Sequence, residues 1–134
     1  MAGFGIFDIA GSAMAAQSVR LNTVASNMAN ADAVTGDPAT TYRALHPVFH
    51  ASRPDASGNA GVSIAGVVES TAEPQRRYQP GHPAADADGY VYAPNVDVVE
   101  QMVDMISASR SYQNSVEVLS TTKDLMLRTL ELGK

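Results

Sequence analysis

The chain has 134 residues, the length of one ordinary domain. Its 14 acidic residues outnumber 9 basic ones, the formal net charge is −5, and Arg76-Arg77 is the only adjacent basic pair, so a nucleic-acid binder is disfavoured. With no Cys there is no disulfide framework, no thiolate metal site and no Cys nucleophile, and the chain is compatible with an oxidising compartment.

Apolar residues make up 45% of the sequence, but much of that is Ala, with no Trp and only 3 Phe. Such a composition suits narrow helix–helix seams better than a thick globular interior. No apolar run approaches the roughly 20 residues that span a bilayer. Residues 1–10 lack a basic n-region and carry Asp8, unlike a conventional secretory signal.

Residues 4–30 read as the first helix. Phe7, Ala10, Met14, Leu21, Val24 and Met28, with Gln17 as a polar interruption, follow the alternating three–four steps of a heptad seam. Ala13, Ala16 and Ala25 flank it and allow close approach of a partner, while Gly11-Ser12 weakens the early turns. Near its end, Asn22, Ser26, Asn27 and Asn30 are poor helix-interior residues, because their side chains compete for the backbone. They imply either hydrogen bonds to neighbouring chains or a capped helix end near Asn30.

Residues 31–94 hold all 7 Pro and most turn signals. Residues 31–41 read as a loop and 42–50 as an extended segment interrupted by Pro47. A turn is expected at 55–59, a β-rich stretch at 61–69, turns at Pro80-Gly81 and Asp88-Gly89, and a short strand at Tyr90-Val91-Tyr92.

The helical pattern returns after Pro94. Asp97 is positioned as an N-cap with Glu100 three residues on, and Asn95 is an alternative cap. Val98, Met102, Met105, Ser109, Tyr112, Val116, Leu119, Lys123, Met126 and Leu130 form a four–three seam, and Val99, Val103 and Ile106 add a second apolar edge. Acidic residues early and basic ones late suit the helix dipole, and Gly133 is a stop. A helix over 97–132 would be about 54 Å long. Two helices form one seam, so a lone subunit leaves one edge of the second helix wet; that is a physical argument for assembly. The expected fold class is α+β, divided as helix 1–30, a small β-rich module within 31–94, and helix 95–134, with the two helices forming one discontinuous terminal domain.

The stretch Arg20-Leu21-Asn22 followed by Ser26-Asn27-Met28-Ala29-Asn30 closely resembles the N-terminal signature of flagellar rod and hook proteins, with Met28 where that pattern usually has Leu. Further blocks are Tyr42-Arg43 with Pro47-Val48-Phe49, Tyr78-Gln79-Pro80-Gly81-His82-Pro83 with Gly89-Tyr90-Val91, and Pro94-Asn95-Val96 leading into the segment from Met102 to Gln113. Together they narrow the resemblance to the proximal-rod branch, over nearly the whole chain except 51–75. The resemblance implies a structural subunit, not an enzyme, without cofactor. It implies export through the flagellar type III apparatus without signal cleavage and periplasmic assembly with copies of itself and other rod and basal-body proteins. It also implies terminal helices packed as an inner coiled-coil tube that links motor to hook. Leu21, Asn22, Asn27, Asn30, Met102, Met105, Ile106, Arg110, Tyr112, Val116 and Leu119 are the expected assembly residues. Arg110 is either a partner for an acidic residue of another subunit or simply solvated.

Catalytic and metal readings find little support. His46 and His50 have helical metal-pair spacing, but Pro47 lies between them. His82 falls in a Pro-Gly-His-Pro turn. Asp86-Ala87-Asp88-Gly89 has part of a Ca²⁺ loop, yet Ala84 and Asn95 stand where further ligands belong. A peptidoglycan hydrolase would need a fixed carboxylate pair, and Asp86, Asp88, Glu69 and Glu73 offer no defined spacing. Gly3-Phe4-Gly5 is too short for a phosphate loop. No small-molecule substrate is indicated. The alternative class is a helical adaptor or export chaperone that holds a partner with the same seams.

Overall fold

The computed structural model describes residues 2–52, 54 and 58–133; the part of the expected turn at 55–57 lies outside the described residues. The elements run α1 (Ala2–Ala29), β1 (Leu45–Ala51), β2 (Val62–Glu69), β3 (Gln75–Tyr78), β4 (Tyr90–Ala93) and α2 (Val98–Leu132). The α+β class with terminal helices and a small β middle is what the periodicity indicates.

α2 starts where its cap predicts. The Asp97 carboxylate accepts from Val99 N at 2.8 Å and Glu100 N at 3.3 Å, which satisfies two of the orphan donors of the first turn. α1 ends at Ala29; the Asn30 amide and side-chain Nδ2 both donate to the Ser26 carbonyl, at 3.2 and 2.8 Å. The two helices run antiparallel. Asn27 meets Gln101, Arg20 meets Asp104, and Ile6 shares a groove with Val118.

The seam between them differs from the heptad expectation. The α2 positions turned inward include Gln101, Ala108, Asp104, Ser111, Ser115 and Thr122, together with the expected Val98, Met105, Ser109, Leu119 and Met126. Met102, Tyr112, Val116, Lys123 and Leu130 face out. On α1 the buried set is Gly5, Ala10, Ala16, Thr23, Val24 and Asn27. Small side chains let the helix axes approach, and dense packing at short range replaces the large knobs of an ordinary coiled coil.

The middle consists of two separate antiparallel hairpins, β1–β2 and β3–β4. A two-stranded sheet is marginal by itself, so each leans on something else. β1–β2 packs on α1, with a register shift between Val48 and Phe49. Its far end is pinned where Ser12 Oγ accepts from Val62 N at 3.1 Å; a Cβ at position 61 would stand 2.6 Å from that Oγ, so a larger residue there would push the Ser12 hydroxyl out of this bond. At its near end Arg43 donates to the carbonyls of Ser70 and Ala72, at 3.4 and 3.1 Å. β3–β4 instead pairs with the 31–44 loop, through reciprocal Thr35–Tyr92 backbone bonds of 2.9 and 2.8 Å. Val91, Ala93 and Pro94 are buried beneath it. β3 carried no sequence signal: Gln75-Arg76-Arg77-Tyr78 is polar, and all of it is exposed.

Candidate assembly interface

The face of α2 turned away from α1 opens with an apolar patch over its first turns. Val99 is 68% exposed and Val103 62%, with Met102 and Ile106 beside them. Arg110, Gln113 and Glu117 follow on that face, while Tyr112 and Val116 are exposed on its flank and Val118 turns toward α1. The antiparallel register brings residue 118 of α2 level with residue 6 of α1, so the last turns of α2 run past the beginning of α1. Those turns present Leu125, Leu127, Leu130 and, at 89% exposure, Leu132. Single exposed apolar residues are ordinary; four together on one helix face, as at Val99, Met102, Val103 and Ile106, make a candidate association surface. A groove of about 290 Å³ between the helices, lined by Ile6, Ile9, Ala10, Ala13, Asn114, Ser115 and Val118, adds a concave apolar receptor beside it. Within it Ile6 and Ile9 are over one-third exposed.

The expected assembly residues divide into two sets. Met102, Ile106, Arg110, Tyr112 and Val116 lie exposed on the outer side of α2, and Asn22 is exposed on α1. Met105, Leu119, Leu21 and Asn30 are half-buried within the subunit. Asn27 is 1% exposed and meets no surface. Its amide has all four hydrogen-bonding positions filled internally. Nδ2 donates to the Leu45 carbonyl (2.9 Å) and to Gln101 Oε1 (3.0 Å); Oδ1 accepts from Leu45 N (2.8 Å) and the Tyr42 hydroxyl (2.9 Å). Ser26 Oγ lies 3.1 Å from the same Tyr42 hydroxyl. The Asn-rich block therefore works in part within the chain: Asn27 ties α1 to both β1 and α2, and Asn30 closes the helix end.

Sequence reading missed Gln101, Tyr42 and the Leu45 backbone as members of this network. It also missed the Arg20–Asp104 ion pair, 2.6 Å long, which joins the helices one to two turns away. The available signal was a lone Gln inside the apolar run from Val98 to Ile106, seven residues before Ala108. The Oε1 atom of Gln17 is buried without a hydrogen-bond partner among the described residues.

The partial Ca²⁺ pattern at Asp86 is a backbone turn. Its Oδ1 accepts from Tyr90 N at 2.8 Å and Asp88 N at 3.0 Å, and Gly89 follows at φ +81°. The Tyr90 amide, with help from the Asp88 amide, the Tyr92 hydroxyl and Arg76, holds the Asp86 carboxyl below the ordinary value, against a smaller opposing effect of desolvation. Tyr90 is engaged by an edge-on Tyr78 ring at 5.1 Å and by Arg76, whose guanidinium lies 3.7 Å from the ring centroid. His46 and His50 lie on strand β1, about 13 Å apart along it.

Two segments of the chain match models of flagellar rod proteins. Residues 7–36 match the family described as flagella basal body rod protein, and residues 87–132 match the flagellar basal body rod FlgEFG protein C-terminal family. The terminal helices and their bare apolar patch thus belong to a structural rod protein of the flagellar basal body. Over all 134 residues, 100% of both chains, it is 56% identical to the flagellar basal-body rod protein FlgC of Salmonella typhimurium. It is 57% identical over 129 residues, 96% of each chain, to that of Yersinia enterocolitica, and 39% identical over 131 residues, again 96% of each, to that of Buchnera aphidicola from Acyrthosiphon pisum. The chain belongs to the FlgC family of flagellar basal-body rod proteins.

Proposed function

We propose that this chain is a self-assembling subunit of the proximal rod that transmits torque from the motor to the hook, a mechanical role with no catalytic step. The observation that carries the reading is the apolar patch on α2 at Val99, Met102, Val103 and Ile106, left bare by a partner helix that packs the opposite face. A mechanical coupling needs contacts with several neighbours at once, and a helix with two usable faces supplies an internal seam and an external one. Further copies and other rod and basal-body proteins are the partners. Arg110, exposed beside the patch, is placed to meet an acidic group on one of them. The subunit leaves the cytoplasm through the type III export apparatus without signal cleavage and assembles in the periplasm; the absence of Cys suits an oxidising destination.

The test is an in-frame deletion in the host, with swimming scored and purified basal bodies imaged by electron microscopy. The expected outcome is non-motile cells with a membrane base but no completed rod or hook, restored by complementation. Complete basal bodies in the deletion strain would overturn the reading in favour of an adaptor or export chaperone.

A further inference from the structure

We infer that the buried Asn27–Gln101 pair is a register latch: it fixes which turn of α1 faces which turn of α2, and with it the seat of the β1–β2 hairpin, making Gln101 a positioning residue for the assembly surface. The inference deepens the proposed assembly role and rests on that role for its consequence.

The need for a latch follows from the seam. Its buried members on α1 are Ala10, Ala16, Thr23 and Val24, and Ala108 faces them from α2. Small side chains make shallow knobs, so at these fully buried positions packing discriminates weakly between heptad registers, although half-buried Met105, Leu119 and Met126 and the Thr35–Tyr92 pairing also resist a slide. Thr23 cannot prevent this, because its hydroxyl donates to its own helix at Val19 O, 2.8 Å away. Arg20–Asp104 is a weak guide: the side chains are 23% and 43% exposed and reach flexibly.

Asn27 is different because it is buried and reads three elements at once. To Leu45 its amide behaves as a neighbouring strand would, accepting from the N–H and donating to the C=O of the same residue. The remaining N–H needs an acceptor from α2, and Gln101 Oε1 supplies it. Sliding α2 by seven residues in either direction would bring Ala108 or Pro94 into that place, and neither side chain can accept. The slipped states then carry a buried orphan donor, and the native one does not. A single buried polar residue that selects one helix register at some cost in stability is an established device in coiled coils. Here it also orients the hairpin relative to the patch on α2, so neighbouring subunits meet a defined surface.

The chain has no Cys, so introduced thiols are the only ones present. Ala13→Cys with Ser115→Cys reports the native register, since both positions line the same interhelical groove. Ala13→Cys with Ala108→Cys or with Thr122→Cys reports slips of one heptad. Full-length variants are treated with a short bis-maleimide in the host, and only crosslinks within one chain, read from monomer bands, are scored. With Gln101 intact the 13–115 product should exceed either slipped product roughly tenfold. Gln101→Met keeps the volume and removes the acceptor, and should bring the products within about threefold of one another. An unchanged ratio in Gln101→Met overturns the latch. Should Gln101→Met abolish all three products by unfolding the helices, Gln101→Glu decides, because it keeps an acceptor oxygen at the same reach. Recovery of the 13–115 product supports the latch, and continued loss overturns it. Incorporation into basal bodies is measured separately on the Gln101 parent chain. A single register without incorporation would overturn the proposed function and leave the latch standing.

Discussion

The two faces of α2 hold different chemistry. The inner face, against α1, carries Gln101, Ala108, Ser115 and Thr122 beside half-buried Val98, Met105, Leu119 and Met126. The outer face carries Val99, Met102, Val103, Ile106 and Val116. In a self-sufficient domain the larger apolar side chains would lie inside, because each fully buried one is worth about 1.5–3 kcal/mol. In this helix the fully buried positions are Gln101 and Ala108, and Val99, Met102, Val103 and Ile106 lie outside. On the proposed role that exposed patch is left for association. If the subunit is exported and then polymerises, as proposed above, it gains from that division, since part of its cohesion then comes from its neighbours.

The sharpest way to break the contrast is a charge on the outer face. Ile106→Asp should abolish incorporation into basal bodies and swimming while the protein is still expressed and exported, because Ile106 lies on the outer face and is 55% exposed. Leu21→Asp should also block assembly, although Leu21 is half-buried and the effect would combine folding with docking. Normal swimming by both variants would refute the role given to the patch. A smaller effect is expected on the inner face. Asn27→Ala removes four hydrogen bonds and leaves the Leu45 amide and the buried Gln101 Oε1 without that partner, a loss of about 3 kcal/mol. Urea unfolding of the assembled protein should show it as a lower midpoint. The Asp97→Ala variant loses the cap of α2 and should cost about 1 kcal/mol by the same measurement.

The smallest expected effect concerns neither face. The Asp86 carboxyl titrates below its ordinary value of 3.8, chiefly because it accepts from the Tyr90 amide. A carboxyl whose folded pKa is depressed stabilises the turn fully above the unfolded value. That contribution is lost as pH falls through the folded one. The β3–β4 turn should therefore hold at pH 5 and above and loosen only in strongly acidic solution, with Asp86→Asn removing that acid step. NMR titration of the Tyr90 amide resonance measures it; a step near neutral pH would contradict the assignment.

Several of these features were legible in the sequence. The two helices follow from apolar periodicity, the start of α2 from Asp97, and the turn at Gly89 from the Asp-Gly pair. The bare edge of α2 follows from counting: two helices make one seam, and α2 has two apolar edges. β3 left no trace, because four exposed polar residues form a strand only when a partner strand, here β4, supplies the hydrogen bonds.

The candidate interface was legible by composition and not by orientation. A heptad pattern places Met102, Tyr112 and Val116 on one seam, but which seam meets α1 depends on how closely the two backbones can approach. Alanines on α1 settle that in favour of the small residues on α2, a choice made only when both helices are in contact. Asn27 is the clearest case. Its residue type announced an unusual demand for hydrogen bonds in a helix, and that much is local chemistry. Whether those bonds go to another subunit or to Leu45 and Gln101, 18 and 74 residues away along the chain, is decided by tertiary structure. A buried amide accepts any donor or acceptor that packing brings within reach, and sequence spacing carries no record of which one arrives.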